Sequence, residues 1–112
     1  MMFGKKNTKS PKYRWAMARK ITGYPIQYVT EHTQSDDPDV YDDVVIGKGG
    51  CISLKDDEVL VNASSQNVFR CKVEEMDAWE LMSGNGVSIT GPDIEHGGRV
   101  RTIIVHYVYD RK

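Results

Sequence analysis

A run of short strand-like segments between residues 51 and 110 constrains the fold of this chain more than any other feature. Apolar and polar side chains alternate there, and turn-forming residues recur about every eight to twelve positions, a spacing typical of all-β sandwiches and barrels. The alternation is clearest where Phe69 and Cys71 share one side and Arg70 takes the other. The pattern predicts a small antiparallel meander with Cys71 in its core.

The last predicted strand, residues 100–109, is apolar on both sides. One side carries Ile103, Val105, Tyr107 and Tyr109, and the other carries Val100, Ile104 and Val108. Strands of this kind lie in the middle of a sheet that is covered twice, or in a curled barrel. We therefore expect this strand to be the centre of the domain.

A short helix is predicted over residues 12–22. Ser10 and Pro11 suit the N-cap and the first helical position, and Gly23 suits the residue after the helix end. The chain is accordingly divided into a basic N-terminal arm with a short helix, residues 1–22, and a single antiparallel β domain, residues 23–112.

Charge is balanced overall but segregated along the chain. Fifteen basic and sixteen acidic side chains leave a formal net charge of −1, so the whole molecule has no field that favours nucleic acid. Residues 1–20 carry bases without acids, and residues 31–43 carry acids without bases. The acidic part, residues 34–43, is expected to form an exposed loop.

Cysteine usage and terminal composition favour a cytoplasmic protein. Cys51 and Cys71 do not form a C-x-x-C pair, so we expect plain thiols and no zinc site. No apolar run resembling a secretory signal follows the basic start. The acidic stretch lacks the spacing of an EF-hand, and we expect neither a metal nor a cofactor.

The segments C-I-S-L-K-D-D-E-V-L-V-N-A-S, N-V-F-R-C-K-V-E-E-M-D-A-W-E-L and G-N-G-V-S-I-T follow one another between residues 51 and 90. Their order of hairpin, short strand and polar step resembles bacterial pleckstrin-homology-like and GRAM-like domains. The resemblance implies a barrel or roll that serves as a binding module. That family ends in a helix, whereas this chain ends in a strand, so a split barrel or another small β roll is the alternative.

The loop over residues 91–99 holds the candidate ligand site. Asp93, Glu95, His96 and Arg99 lie there among glycines, and such titratable groups can bind a small ligand or anion. The same residue types are typical of ordinary tight turns. A small hydrolase centred on this loop is one alternative function, although no nucleophile motif surrounds a serine or cysteine.

The N-terminal arm holds a second candidate site, for an anionic partner. Its residues are Lys5, Lys6, Lys9, Lys12, Arg14, Trp15, Arg19 and Lys20. Basic side chains interleaved with aromatic ones suit a membrane surface or nucleic acid. The arm could equally be a solubilising tail, or fold onto the acidic residues 31–43 of the same or another copy.

The interpretation favoured by the sequence is a non-enzymatic interaction or scaffold module. It would associate with itself or with a protein partner through an exposed strand edge or a tyrosine-rich surface. An anionic membrane surface is a further possible partner. A nucleic-acid-binding accessory protein is the third alternative, supported by the basic arm and opposed by the neutral β domain.

Overall fold

The structure is a computed structural model that describes residues 10–34 and 41–108. Its elements are helix α1 (Pro11–Ile21) and strands β1 (Ile26–Gln34), β2 (Tyr41–Lys48), β3 (Gly50–Lys55), β4 (Glu58–Ala63), β5 (Gln66–Lys72), β6 (Asp77–Glu80), β7 (Gly86–Asp93) and β8 (Arg99–Tyr107). Short 3₁₀ turns, Val73–Glu75 and Ile94–His96, follow β5 and β7. The predicted class, antiparallel β with one short helix, is confirmed.

The strands form two antiparallel sheets. The larger sheet has the order β2-β1-β8-β7-β6, and the smaller one has the order β3-β4-β5. Across residues 10–34 and 41–108 the ladders do not close into one barrel, although an isolated bridge between Pro25 and Cys51 links the two sheets. Strand β8 lies at the centre of the larger sheet, as its apolar character predicts.

Two predicted loops are shorter than the sequence suggested. Strand β2 already begins at Tyr41, so residues 41–43 pair with β1 and do not belong to the acidic loop. Strand β7 continues through Gly91 to Asp93. A Cβ atom on Gly91 would lie 2.5 Å from Cys71 Sγ, so this glycine allows close packing of strands and does not mark a turn.

The core lies between the inner face of the larger sheet and the smaller sheet. Val29, Ile103 and Val105 line the larger sheet's inner face, and Val61 and Phe69 oppose them from the smaller sheet; all five are 0 % exposed. In β4 and β8 the buried residues alternate with half-buried ones, which follows the two-residue period of a strand.

Helix α1 docks against the same core. Ser10 caps it by accepting a hydrogen bond from the Tyr13 backbone N–H at 3.1 Å, and Pro11 occupies the first turn, as predicted. Met17, Ala18 and Ile21 are buried in the common core. Because an 11-residue helix is marginal alone, this burial is what stabilises it.

Candidate functional site

Asp93 is the buried centre of the predicted loop site. Its side chain is 0 % exposed. The Oδ1 atom accepts hydrogen bonds from the Glu95 backbone N–H at 3.0 Å and the Arg70 backbone N–H at 3.1 Å. Because Glu95 follows in the 3₁₀ turn and Arg70 belongs to β5, this carboxylate caps the turn and connects the two sheets.

Arg101, which the sequence analysis did not select, completes the cluster. Its Nε and Nη2 bind the two oxygens of Glu31 at 3.1 and 2.8 Å, and its Nη1 binds Asp93 Oδ2 and the Val68 carbonyl oxygen. Such bidentate pairs are strong because both partners are charged and planar. The guanidinium therefore joins β1, β5 and β7 through one side chain.

These contacts shift protonation in the directions that hydrogen bonding requires. The hydrogen bonds from Arg101 lower the pKa of Glu31 below its usual value, and the hydrogen bonds to Glu31 raise the pKa of Arg101. Both groups are thereby held in their charged forms.

His96 sits at the rim of the cluster, with its side chain 47 % exposed. We assign the Nδ1 proton as the donor to Asp93 Oδ2 at 2.6 Å, and Arg101 Nη1 lies 3.1 Å from the same nitrogen. Within residues 10–34 and 41–108, the side-chain contacts of His96 are with Asp93 and Arg101.

The other two predicted residues lie at the surface of the cluster. Glu95 is exposed and lies 3.6 Å from Arg70, which also lies 3.6 Å from Glu58. Arg99 is exposed and pairs through its backbone with Asp93. The structure therefore brings Asp93, Glu95 and His96 together and leaves Arg99 outside the cluster.

A shallow cleft opens beside the cluster, with a volume of about 220 Å³. Its lining residues are Ile46, Gln66, Asn67, Val68, His96 and Arg101. Two of these residues are apolar and two have side-chain amides, and the Arg101 guanidinium is already bound to the carboxylates of Glu31 and Asp93. The cleft suits a small polar molecule better than an anion, because the carboxylates offset the positive charge of Arg101.

Two of the described basic residues of the arm, Arg14 and Lys20, contact the β domain. Lys20 Nζ forms an ion pair with Glu80 at 2.7 Å, which raises the pKa of Lys20, and Arg14 donates to the Glu74 carbonyl oxygen. Arg19 lies over the half-buried Trp15 ring.

Lys12 is the remaining candidate in α1, and its side chain is exposed. Lys5, Lys6 and Lys9 lie outside the described residues.

The outer face of the larger sheet carries a feature that the sequence analysis also missed. Cross-strand pairing aligns one residue from each strand in a continuous row, since opposite residues share a face. From β2 to β6 this outer row is Val45, Thr30, Ile104, Ser88 and Trp79. It contains no charged side chain.

Side-chain size alternates along the outer row. Thr30 and Ser88 are each 6 % exposed because larger neighbours flank them, whereas Val45 is 49 % and Trp79 is 46 % exposed. Beside the row, Tyr28 and His106 stack with ring centroids 4.2 Å apart. The described elements thus leave this row open, with Lys48 opposite Tyr28 and Asp77 opposite Thr90 in the adjacent rows of the same face.

Other classes of site find little support in the described part of the chain. No group of three or more histidine, cysteine or acidic side chains there could hold a metal ion. Cys51 is exposed and Cys71 is buried, and both are free; burial raises the pKa of the Cys71 thiol to about 12. None of the described helices has the length and apolar character needed to cross a membrane.

Comparison with protein-family models, curated proteins and solved structures gives no significant match. A functional assignment therefore depends on the geometry of the cluster, the cleft and the outer row.

Proposed function

We propose that this protein is a non-enzymatic interaction module that docks another protein on the outer face of its five-stranded sheet. The observation that carries the proposal is the outer row, which presents Val45, Ile104 and Trp79 without a charged neighbour in the row. Cores of protein interfaces are depleted in charge and enriched in aromatic residues, and tryptophan is a frequent energetic anchor.

The buried cluster supports the non-enzymatic part of this proposal. Both oxygens of Asp93 accept hydrogen bonds, from two backbone amides, Arg101 and His96. A general base needs an available lone pair near its substrate, and this carboxylate is fully buried with two donors on each oxygen. The cluster acts as a polar connection between the sheets.

Site-specific photocrosslinking of the protein in its own cells tests the proposal. A benzophenone amino acid replaces Trp79 in one variant and Met82 in a control, since Met82 is exposed at the hairpin between β6 and β7 and lies off the outer row. The proposal expects a discrete intermolecular product at position 79 and none at position 82.

Two results would count against it. One is the absence of any product at position 79 while the variant remains folded by circular dichroism. The other is a product whose mapped peptides lie within one chain, which would mean that an unassigned segment of this chain covers the face.

Small-molecule binding in the cleft is a second candidate function, favoured by the amides of Gln66 and Asn67 beside His96. A thermal-shift screen of small polar metabolites tests it, with Asn67→Trp as a variant that fills the cleft. Compounds that stabilise the wild type and not the variant would support this candidate. Equal shifts in both proteins would refute it.

Binding of an anionic surface or nucleic acid is a weaker candidate, because Arg14 and Lys20 already contact the β domain. Sedimentation with anionic vesicles at two salt concentrations tests it, together with an oligonucleotide titration. Binding that falls with salt and disappears on deletion of residues 1–9 would support the arm as the site; unchanged binding after that deletion would refute it.

We extend the proposal to the fold type and the compartment. The two sheets with α1 packed against their common core support a small β roll of the pleckstrin-homology-like kind, or a split barrel. The two free thiols support a reducing, cytoplasmic compartment. Fluorescence microscopy of the tagged chain in its own cells checks the compartment.

A further inference from the structure

We infer that the protein docked on the outer face is a second copy of this chain, an inference that rests on the proposed function. The outer row is complementary to itself. Along the row, large and small side chains alternate in the order Val45, Thr30, Ile104, Ser88, Trp79, and the small ones are buried in gaps between the large ones.

A two-fold axis parallel to the strands sets two such rows against each other in opposite order. If the axis lies between β8 and β7, Ile104 faces Ser88 of the second copy, and Trp79 faces its Thr30. Each large side chain then lies over a small one, so that no two large side chains collide, and each contact occurs twice. This is the isologous arrangement that closed dimers require.

An axis directly over β8 would instead set Ile104 against Ile104 and leave the gaps at Thr30 and Ser88 empty. Voids of this kind lose dispersion contacts, and tightly packed interfaces avoid them. An axis between β1 and β8 would also set large side chains against small ones, Ile104 on Thr30 and Val45 on Ser88, but it would leave Trp79 outside the contact. The axis between β8 and β7 avoids the voids and also covers Trp79, which is 46 % exposed.

Charge also favours a second copy. A patch with a strong charge of one sign would repel its own image, because like charges face each other across a two-fold axis. The outer row contains no charged side chain. Charged residues of the adjacent rows lie on the two edge strands: Asp77 on β6, opposite Thr90, and Lys48 on β2, opposite Tyr28 and outside the four strands in contact.

The face is also large enough. Four strands about 4.8 Å apart and roughly 25 Å long give a projected area on the order of 500 Å² per copy. With two copies, a face of this size gives a contact on the order of 1,000 Å² in total, at the lower limit of a specific interface.

A pair of complementary variants tests the inference with the full chain. In a dimer of the Ser88→Ile variant, an isoleucine of one copy faces an isoleucine of the other at this contact. In a dimer of the Ile104→Ser variant, two serines face each other there. The dissociation constant of each variant dimer should therefore be about tenfold higher than that of the wild type, or more. When the two variants are mixed, every isoleucine again faces a serine. Sedimentation velocity should therefore show monomers for each variant and a restored dimer for the mixture.

Ile104→Lys and Met82→Lys provide a second, more soluble pair. The first places a charge in the centre of the row and should abolish dimerisation, whereas the second changes an exposed residue outside the row and should leave the dimer intact. Thermal unfolding of each variant shows that it is folded, which separates loss of the interface from loss of the fold.

A wild-type protein that sediments as a monomer at millimolar concentration would overturn the inference, as would a wild-type dimer that the mixed variants do not restore. A cross-link from position 79 to a different protein would overturn it as well while supporting the proposed function. Failure of the inference and failure of the proposed function are thus distinguishable.

Discussion

At the scale of single residues, the threonine hydroxyls on the outer face differ in whether they form hydrogen bonds. The Oγ1 atom of Thr30 is buried and has no hydrogen-bond partner among the described residues. A buried hydroxyl without a partner costs about 1–3 kcal/mol. By contrast, the hydroxyls of Thr90 and Thr102 on the same face bond each other at 2.9 Å.

Replacing Thr30 by valine should therefore stabilise the protein. Thr30→Val removes an unsatisfied hydroxyl and keeps the side-chain shape, so the free energy of unfolding should rise by up to about 1–2 kcal/mol. Thr102→Val is the matched control, and it should lower that free energy because Thr90 loses its partner. Urea denaturation of the two variants measures both changes; a loss of stability in Thr30→Val would contradict this account.

Glu31 should make stability depend on acid pH. The pKa of Glu31 is lowered in the folded protein by its hydrogen bonds from Arg101. Its contribution is therefore complete above the unfolded pKa of about 4.5 and is lost as the pH falls through the lower folded pKa. Arg101 stays charged throughout this range, since its hydrogen bonds to Glu31 raise its pKa above the ordinary value of an arginine.

Glu31→Gln should lower the free energy of unfolding at neutral pH by about 1–3 kcal/mol and flatten its decline below about pH 4.5. Chemical denaturation at several pH values measures both effects. Glu74→Gln, a change at an exposed carboxylate, should keep the wild-type slope. If Glu31→Gln retained that slope too, the assigned role of the Arg101 contact would be wrong.

At the scale of elements, the bend between β2 and β3 depends on Gly50. Its φ is +131°, and a Cβ atom there would lie 1.9 Å from the Asn62 carbonyl oxygen of β4. The neighbouring Gly49 also has a positive φ, of +70°, but open space surrounds its Cβ direction. Alanine substitutions at the two positions therefore distinguish the effect of backbone strain alone from the effect of strain combined with steric overlap.

Gly49→Ala should lower the free energy of unfolding by about 1–2 kcal/mol, because alanine is strained in a left-handed backbone conformation. Gly50→Ala must in addition move β3 away from β4. It should therefore lower the free energy of unfolding by about 2 kcal/mol more than Gly49→Ala does, as at other overpacked sites. Thermal and urea unfolding compare the two variants. Equal costs would show that β3 and β4 are not in this register.

Most strands could be predicted from their composition, and the two strand ends that were predicted wrongly have physical explanations. Val59, Val61 and Ala63 are buried as their spacing predicts. The start of β2 was missed because Asp42 and Asp43 are residue types typical of loops, whereas an edge strand tolerates charged residues. The end of β7 was missed because Gly91 resembles a turn residue but provides room for Cys71.

The candidate site was predictable only in part. Asp93, Glu95 and His96 do come together, since they lie within four residues of one another. Arg101 could have been found, because it shares the inward side of β8 with Ile103 and Val105, and a buried charge needs a partner. Glu31 and the outer row required the strand order, which links residues 70 positions apart.

At the scale of the whole molecule, a packed interior and an open outer face lie on opposite sides of the larger sheet. The Arg101 cluster and the docked helix hold the two sheets in one core. The outer row lies on the opposite side of the same strands, so it can be altered without disturbing that core. A change of interface and a change of stability should therefore be separable in this protein.

Isotope-filtered NMR on an equal mixture of ¹³C-labelled and unlabelled protein tests the central claim most directly, because it detects only contacts between chains. The account predicts intermolecular cross-peaks from the Ile104 methyl groups to the β-protons of Ser88, and from the Trp79 ring to the Thr30 methyl group. Intermolecular cross-peaks confined to other surfaces, or none from a protein that sediments as a monomer, would contradict it.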